Sequence, residues 1–337
     1  MYLQSLCKTV CFGLSLLFYT VSFYSSANTQ IQPKAVSALI TDIAQAGHKL
    51  IAVGERGHIF YLDESWKQVA SPTSTNLTNV FFLNSVKGWA VGHDATILQT
   101  SDGGKTWSIA FESSEIEKPF LDILFFNEME GVAVGAYGLF YRTVDGGNTW
   151  SEEFHEELLL DDDKAYLEDL KTNDPEGYKI EKASLLPHFN KILKTTDGRT
   201  ILIGELGLVS ISSNKGHFFT KTEFPYEGSM FTGIETQNGF IFSGLRGNVF
   251  KTDKILNGWH KLKTPIDSSI FGSVIINNET FLVGNSGAVL RVKNDRSIVI
   301  VKQLKGQNIL AIAQNENGHV WLGGTQGLQL LDLNKQQ

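Results

Sequence analysis

Five side chains that can bind or react follow a repeated glycine by one or two positions. They are Arg56, His93, Tyr137, Glu205 and Arg246. A Tyr nucleophile with a Glu base, an Asp acid and three Arg around a carboxylate would form a glycoside-hydrolysing site. Only six arginines occur in the chain, and the repeat places Arg199 on the other face. We therefore expect no catalytic residues and interpret the five as partner-binding, with a glycoside hydrolase as the alternative.

A glycine phrase that recurs about every forty residues positions these side chains. Its instances are IAVGERG, WAVGHDA, VAVGAYG, ILIGELG, IFSGLRG, FLVGNSG and WLGGTQG, with first glycines at 54, 92, 135, 204, 244, 284 and 324. The steps between them are 38, 43, 69, 40, 40 and 40 residues. A period of this size with strand-like content is typical of a β-propeller, and seven copies predict seven blades.

A single repeat, residues 77–113, shows what each blade contains. Strand-like runs at 77–83, 88–92, 96–100 and 106–111 are separated by Asn, Asp and Gly turns, as in antiparallel hairpins. Four strands per period make a propeller blade. We predict an all-β, seven-bladed β-propeller as one domain over residues 28–337. Because the last repeat supplies three strands, we expect residues 31–37 to pair as its outermost strand.

A second motif follows the third strand of two repeats. Thr100-Ser-Asp-Gly-Gly-Lys-Thr-Trp107 and Thr143-Val-Asp-Gly-Gly-Asn-Thr-Trp150 resemble the Asp-box, or bacterial neuraminidase (BNR) repeat. Asp102 and Asp145 can accept N–H bonds within such a turn, and the glycines supply its unusual backbone angles. Sialidases share this motif, but it indicates the fold rather than the chemistry.

The N-terminal residues predict export. Residues 1–27 contain one lysine, an apolar run from Val10 to Phe23 and a final Ser-Ser-Ala. This pattern indicates a secretory signal peptide cleaved after Ala27, with an uncleaved membrane anchor as the alternative. Both cysteines, Cys7 and Cys11, lie in this segment, so thiol chemistry and Cys–zinc sites are excluded from the exported chain. We expect a periplasmic protein.

The negative charge is concentrated in one insertion, residues 152–185. Residues 152–182 hold twelve acidic residues and four lysines, a balance of −8, whereas the whole chain carries −7. The segment explains the 69-residue step and predicts one or two short helices ending near Pro175. As the connection between blades three and four, it belongs to the face of the hairpin tips. It is either a solvated acidic loop or a docking arm, and the spacing of Asp161, Asp162 and Asp163 does not fit a calcium loop.

The export segment, the seven repeats and the Asp-box turns together resemble the photosystem II stability/assembly factor family, from about residue 35 onward. The resemblance implies a non-enzymatic propeller of the thylakoid lumen or bacterial periplasm that assists assembly of the photosystem II reaction centre. That family tends to place Arg before the Asp-box. Arg142 and Arg291 fit this tendency, but Gln99 and Lys251 do not, which favours a non-photosynthetic bacterial member.

The sequence also limits the range of partners. It has no basic stripe of the kind that binds nucleic acid, and no phosphate-binding loop beyond the repeat glycines. We expect no metal and no cofactor. The most consistent interpretation is a monomeric scaffold that binds a membrane or envelope protein during assembly.

Overall fold

Seven small sheets form a ring around a central channel in the computed structural model, which describes residues 31–32, 34–293 and 296–333. The predicted seven-bladed all-β propeller is confirmed. Within these described residues, no helix is long and apolar enough to cross a membrane. The predicted signal peptide, residues 1–27, and both cysteines lie outside them.

Each blade is built from consecutive antiparallel strands. Blades one to three comprise β1 Ile40–Ala46, β2 Lys49–Gly54, β3 Ile59–Leu62, β4 Trp66–Val69; β5 Leu77–Phe82, β6 Gly88–Gly92, β7 Ile97–Thr100, β8 Ser108–Phe111; β9 Phe120–Phe125, β10 Gly131–Gly135, β11 Phe140–Thr143 and β12 Ser151–Glu152. Blades four and five comprise β13 Phe189–Lys194, β14 Thr200–Gly204, β15 Val209–Ser212, β16 Thr220–Lys221; β17 Met230–Thr236, β18 Gly239–Gly244, β19 Val249–Thr252 and β20 His260–Leu262. Blades six and seven comprise β21 Ile270–Ile276, β22 Glu279–Gly284, β23 Ala288–Val292, β24 Ile298–Gln303; β25 Ile309–Gln314, β26 Val320–Gly324 and β27 Gly327–Leu331.

The hydrophobic core lies between neighbouring blades rather than within any one sheet. Phe140 of blade three, for example, shares a buried cluster with Phe189 and Leu202 of blade four. Ile40 of blade one and Ala311 of blade seven belong to another such cluster, which closes the ring. Burying a large apolar side chain contributes roughly 1.5–3 kcal/mol, so every blade depends on both neighbours for stability.

The first strand of every blade begins with a one-residue bulge. In blade one the pairing moves from Ile40↔Gly54 to Asp42↔Val53, which leaves Thr41 out of the ladder. The same shift occurs in the other six blades. Thr41 Oγ1 donates to the Leu77 carbonyl at 2.7 Å, across to blade two. The bulges therefore turn side chains toward the channel and link neighbouring blades around it.

The repeated glycines are required by close backbone approaches. A Cβ on Gly54 would lie 2.0 Å from the Leu39 carbonyl oxygen, and one on Gly284 would lie 2.1 Å from that of Ser269. The second glycine of the phrase has φ between +67° and +76° in the six repeats that carry it, a region that favours glycine. The recurring phrase is thus a fold signature, and the two residues between its glycines are the positions that differ between blades.

The predicted outermost strand of blade seven, residues 31–37, is wrong. Ala35–Ser37 form a single 3₁₀ turn, and blade seven has three strands in the described part of the chain. A Cβ on Gly327 would lie 2.0 Å from the Val36 carbonyl, just as one on Gly57 would lie 2.1 Å from that of Thr73. Val36 therefore occupies the place of a blade-to-blade connection, which follows the fourth strand in blades one to six.

The acidic insertion forms the predicted helices, α1 Asp161–Asn173 and α2 Pro175–Lys182. Asp174 Oδ1 accepts a hydrogen bond from Gly177 N at 3.0 Å and caps the second helix; such an N-terminal cap is typical of aspartate. Leu158, Leu159 and Leu167 are buried in the core cluster of blades three and four. The insertion is therefore packed onto the propeller through an apolar side and exposes its acidic side.

Candidate partner-binding face

The hairpin between the second and third strands has the same unusual conformation in six blades. The residue before its last position has positive φ although it is not glycine: Arg56 (53°), Asp94 (53°), Tyr137 (52°), Leu206 (52°), Arg246 (54°) and Ser286 (58°). All six are exposed. A bulky residue at such an angle is strained by about 1–2 kcal/mol. These six residues form what we call the tip ring, and they project from one face of the propeller.

The five predicted binding residues all lie on this face, at two different hairpin positions. Arg56, Tyr137 and Arg246 belong to the tip ring, whereas His93 and Glu205 each precede a tip-ring residue by one position. Some tips are held by a hydrogen bond to the side chain of the residue that precedes the first strand of the next blade. Asn76 Oδ1 accepts a hydrogen bond from Arg56 N at 2.9 Å.

Only Tyr137 and Glu205 are brought together among those five, and a histidine missed at the sequence level joins them. The His188 ring lies edge-on to Tyr137 with centroids 4.5 Å apart. Its Nδ1 lies 3.6 Å from Glu205 Oε2. Lys118 Nζ sits 5.7 Å above the Tyr137 ring, and burial lowers the pKa of this lysine. His188 directly precedes β13, the position whose carbonyl oxygen meets the first repeat glycine, so aligning the repeats would have revealed it.

The end of the acidic insertion reaches the same group. Gly138 N donates to the Pro187 carbonyl at 3.0 Å, and the Lys118 ammonium donates to the Ala183 carbonyl. The end of the insertion thus borders the tip ring at blade three, as its place between blades three and four predicts. Helix α1 lies nearer the outer strand of blade four, where Lys221 Nζ donates to the Leu159 carbonyl at 2.8 Å.

A channel with a cavity of about 770 Å³ opens between the seven first strands. Because Ile40 pairs with Gly54, beside the hairpin tip, the bulged end of each first strand lies toward the tip-ring face. The residues at that mouth are Thr41, Thr78, Leu121, Asn190, Phe231, Phe271 and Leu310. The channel therefore opens in the middle of the candidate binding face.

Charged groups line one half of the channel. Asp42 Oδ2 accepts hydrogen bonds from Asn79 Nδ2 at 2.9 Å and Val80 N at 3.0 Å. Asp122 is 2% exposed and lies 3.1 Å from Lys191 Nζ. Burial raises the pKa of both carboxyl groups, with Lys191 opposing it. Burial works to lower the pKa of Lys191, but Asp122 and Asp42 more than offset this and raise it.

The arginines do not assemble a carboxylate clamp. Arg142 is 3% exposed, and its Nε and Nη2 bind both oxygens of Glu153 at 2.7 and 3.0 Å. Arg199 pairs with Asp197, and Arg291 Nη1 lies 3.3 Å from Glu279. Arg56 and Arg246 remain on the tip face, in blades one and five. Among the described residues, no group of three or more His, Cys, Asp or Glu side chains is placed to hold a metal ion.

The two Thr-x-Asp-Gly-Gly turns lie on the opposite face and use their polar groups internally. Asp145 accepts hydrogen bonds from Thr149 N at 2.9 Å, Thr149 Oγ1 at 2.6 Å and Thr143 Oγ1 at 2.8 Å. These hydrogen bonds, first those from Thr149, lower the pKa of Asp145 from 3.8 to about 2. Ser212, Asn214 and Gly216 of blade four repeat the geometry without an aspartate.

Known proteins resemble this chain in sequence and in fold. The family model described as photosynthesis system II assembly factor YCF48 matches residues 60–115 and 109–198. The photosystem II assembly protein Ycf48 of Thermosynechococcus vestitus (strain NIES-2133 / IAM M-273 / BP-1) is 38% identical over 42 residues. That alignment spans 12% of this chain and 12% of the relative.

Solved structures share the architecture at low identity. YCF48 bound to a D1 peptide has a TM-score of 0.64 at 17% identity, covering 87% of this chain and 93% of its own. YCF48 from Cyanidioschyzon merolae gives 0.64 at 16% identity, covering 87% and 95%. A streptogramin B lyase gives 0.66 at 14% identity, covering 90% and 96%; at these identities the structures show the fold alone. The family-model match confirms the resemblance of this chain to the photosystem II assembly factor YCF48 family.

Proposed function

We propose that this protein is a non-enzymatic, extracytoplasmic scaffold whose tip-ring face holds a membrane or envelope protein during assembly. Its resemblance to the YCF48 family supports an assembly role, and a YCF48 protein has been solved with a bound D1 peptide. The observation that carries the proposal is the tip ring itself. Six exposed non-glycine residues occupy a strained backbone region at equivalent positions on one face.

The strain supports a binding role because glycine would relieve it without disturbing the hairpin. Strained backbone positions cluster at functional sites. The tip ring includes two arginines and a tyrosine, which are favoured anchors at protein interfaces. Leu206 is 74% exposed and Tyr137 is 49% exposed, so apolar contact area lies beside the charges. A face of this composition fits a protein surface better than a single small polar substrate.

The arginine pattern supports a client other than a photosystem. Arg142 is enclosed by Glu153, and Arg291 is paired with Glu279. Both arginines that match the family tendency are therefore held by carboxylates of this chain. We infer a non-photosynthetic bacterial member whose partner presents a basic segment, because the acidic insertion ends beside the tip ring. Electrostatic steering by this insertion would weaken as salt concentration rises.

Export to the periplasm is part of the same proposal and rests on residues 1–27. N-terminal sequencing of the protein from its native host should start at Asn28. Recovery of an intact Met1 in a cytosolic fraction would contradict export.

Crosslinking and affinity capture from native membranes test the binding face. The test variant carries Arg56→Ala, Tyr137→Ala and Arg246→Ala, and should lose the captured partner. Arg296→Ala is the control, because Arg296 is also exposed with positive φ (68°) but lies on the opposite face. Equal loss in the test and control variants would refute the tip-ring face as the interface.

The docking role of the insertion is tested by removing its charges rather than by deleting it, because its leucines belong to the hydrophobic core. Asp161→Asn, Asp162→Asn and Asp163→Asn together should reduce capture at low salt and leave it unchanged at high salt. The same salt sensitivity in variant and wild type would exclude the docking role. Hydrolysis of a sialoside by the purified protein, lost on Tyr137→Phe, would overturn the scaffold proposal in favour of a glycoside hydrolase.

A further inference from the structure

The two halves of the central channel differ in chemistry. Blades one to four contribute the charged residues of the lining, Asp42, Asp122, Lys191 and Lys194. Blades five to seven contribute no charged residue to it and supply Phe231, Phe271 and Leu310 beside Thr232 and Ser273. The Phe231 and Phe271 rings are 5.2 Å apart between centroids. A cavity of about 770 Å³ is within the usual size range for sites that bind small organic molecules.

The charged half has more negative than positive charge near its carboxylates. Asp42 and Asp122 face one ammonium group, that of Lys191. Lys194 also lines the channel, but it lies three residues further along β13, about 10 Å at the usual rise per residue. It is exposed and donates to the Phe126 carbonyl at 3.0 Å. Burial raises the pKa of Asp42, as expected for a carboxylate without full compensation.

Asn79 supplies an independent indication of a missing donor. Its side chain is 7% exposed and its Nδ2 donates to Asp42. Its Oδ1 is buried and has no hydrogen-bond partner among the described residues. A buried acceptor without a partner costs about 1–3 kcal/mol. The carboxylate of Asp42 and the free amide oxygen of Asn79 lie together on the channel wall, opposite the apolar wall.

The geometry points to a binding site for an organic cation in the channel mouth. The ligand would carry an ammonium or guanidinium group on an aromatic or aliphatic body. Its N–H groups would bind Asp42 and Asn79, and its body would pack on Phe231 and Phe271, where a cation near a ring face also gains attraction. The source is either a free amine or a Lys or Arg side chain of a bound polypeptide. This site does not depend on the identity of the tip-ring partner.

Binding of matched small molecules to the purified protein tests the site by calorimetry. Phenethylamine should bind, whereas phenylacetate, with the opposite charge, and phenethyl alcohol, with none, should bind at least tenfold more weakly. A capped pentapeptide, Ala-Ala-Lys-Ala-Ala, presents the same ammonium on a polypeptide. Binding of the amine alone assigns a small-molecule ligand, and preference for the peptide assigns a side chain of a partner.

Asp42→Asn should weaken phenethylamine binding at least tenfold, since Asn keeps the shape and an acceptor for Asn79 and Val80 N. Phe271→Leu should weaken it about threefold while leaving the preference for the cation intact. Asp161→Asn, on the exposed start of α1, is the charge-matched control and should have no effect. Circular dichroism melts of each variant confirm folding. Binding that is equal for phenethylamine and phenylacetate, unchanged in Asp42→Asn, or absent for amine and peptide alike would overturn the assignment.

Discussion

The two faces of the propeller use tight turns in opposite ways. On the tip-ring face, one non-glycine residue of the hairpin in six blades has a strained backbone and an exposed side chain. On the other face, the Thr-x-Asp-Gly-Gly turns have relaxed glycines at positive φ, and Asp102 and Asp145 bind groups of their own turn. Asp102, for instance, accepts from both Thr106 N and Thr106 Oγ1.

The contrast distinguishes residues that recur in every blade because the fold needs them from residues that differ between blades and can serve function. The repeated glycines and turn aspartates recur because each meets the same local constraint in every blade. The second of the two residues between the glycines is exposed and varies freely, whereas the first can serve the hairpin. Glu55 and Glu205, for example, accept hydrogen bonds from Leu39 N and His188 N. Strain at Leu206, whose side chain is 74% exposed, therefore indicates selection by something outside the chain.

The largest expected effect comes from the glycines that support the tips. Gly287→Ala places a Cβ 1.7 Å from the Leu304 carbonyl oxygen, whereas Gly306→Ala at a similar φ meets nothing within 4 Å. Both replacements incur the left-handed backbone penalty of about 1–2 kcal/mol. We expect Gly287→Ala to destabilise the fold by about 2–5 kcal/mol in total, because overpacking adds about 1–3 kcal/mol. Urea unfolding measures both. Equal losses of unfolding free energy in the two variants would show that glycine is required at position 287 for its backbone angle and not for the close approach of Leu304.

The next effect compares an aspartate from each face. Asp102→Ala removes the acceptor for four donors in its turn and should cost about 2 kcal/mol. Asp94→Ala removes a tip-ring side chain whose carboxylate accepts from Thr75 Oγ1 at 2.9 Å on the exposed face. Its effect on the free energy of unfolding should stay below about 0.5 kcal/mol. A cost at Asp94 matching that at Asp102 would contradict the division between the faces.

Much of the fold could be predicted because its constraints are local and repeated. The period, the glycines and the turn residues determine seven blades, and the four strands of residues 77–113 are found within about two residues of their predicted bounds. The helices of the insertion and their boundary at Pro175 follow from a capping aspartate before a proline. The prediction of a strand at residues 31–37 was wrong because a segment that connects blades and an edge strand can have the same short apolar composition.

The candidate site was less predictable because it depends on contacts between blades. The alternating strand direction of a blade placed the five binding residues on one face. The repeat also marks the position of His188, but not its contacts with Tyr137 and Glu205. Arg142 matched a family tendency in sequence, yet its pairing with Glu153 removes it from the surface. The channel chemistry could not be predicted, because it depends on Asp42 of blade one and Asn79 of blade two meeting on the channel wall.

The pH dependence of stability tests whether the ionised carboxylate of Asp145 stabilises its turn. The pKa of Asp145 in the folded protein is about 2, below its ordinary value of 3.8. Its ionised form therefore stabilises the fold above about pH 4, and this contribution is lost as pH falls from 4 toward 2. Asp145→Asn should lower Tm at neutral pH and converge with wild type near pH 2. Asp161→Asn, at an exposed site, should run parallel to wild type. If the difference in Tm between Asp145→Asn and wild type stayed constant down to pH 2, the charged form of Asp145 would not be the stabilising one.

The smallest effect on stability is expected from relieving the strain in the tip ring. Leu206 has φ of 52° and is 74% exposed, so Leu206→Gly removes strain without removing buried contacts. The gain of about 1–2 kcal/mol from the backbone is partly offset by the entropy of glycine, about 0.5–1 kcal/mol. Urea unfolding should show the variant as stable as wild type or up to about 1.5 kcal/mol more stable. Partner capture should decline at the same time, because a stabilising change at a functional position tends to reduce function. A variant that loses stability would show that Leu206 serves the fold, and one that gains stability with full capture would remove Leu206 from the interface.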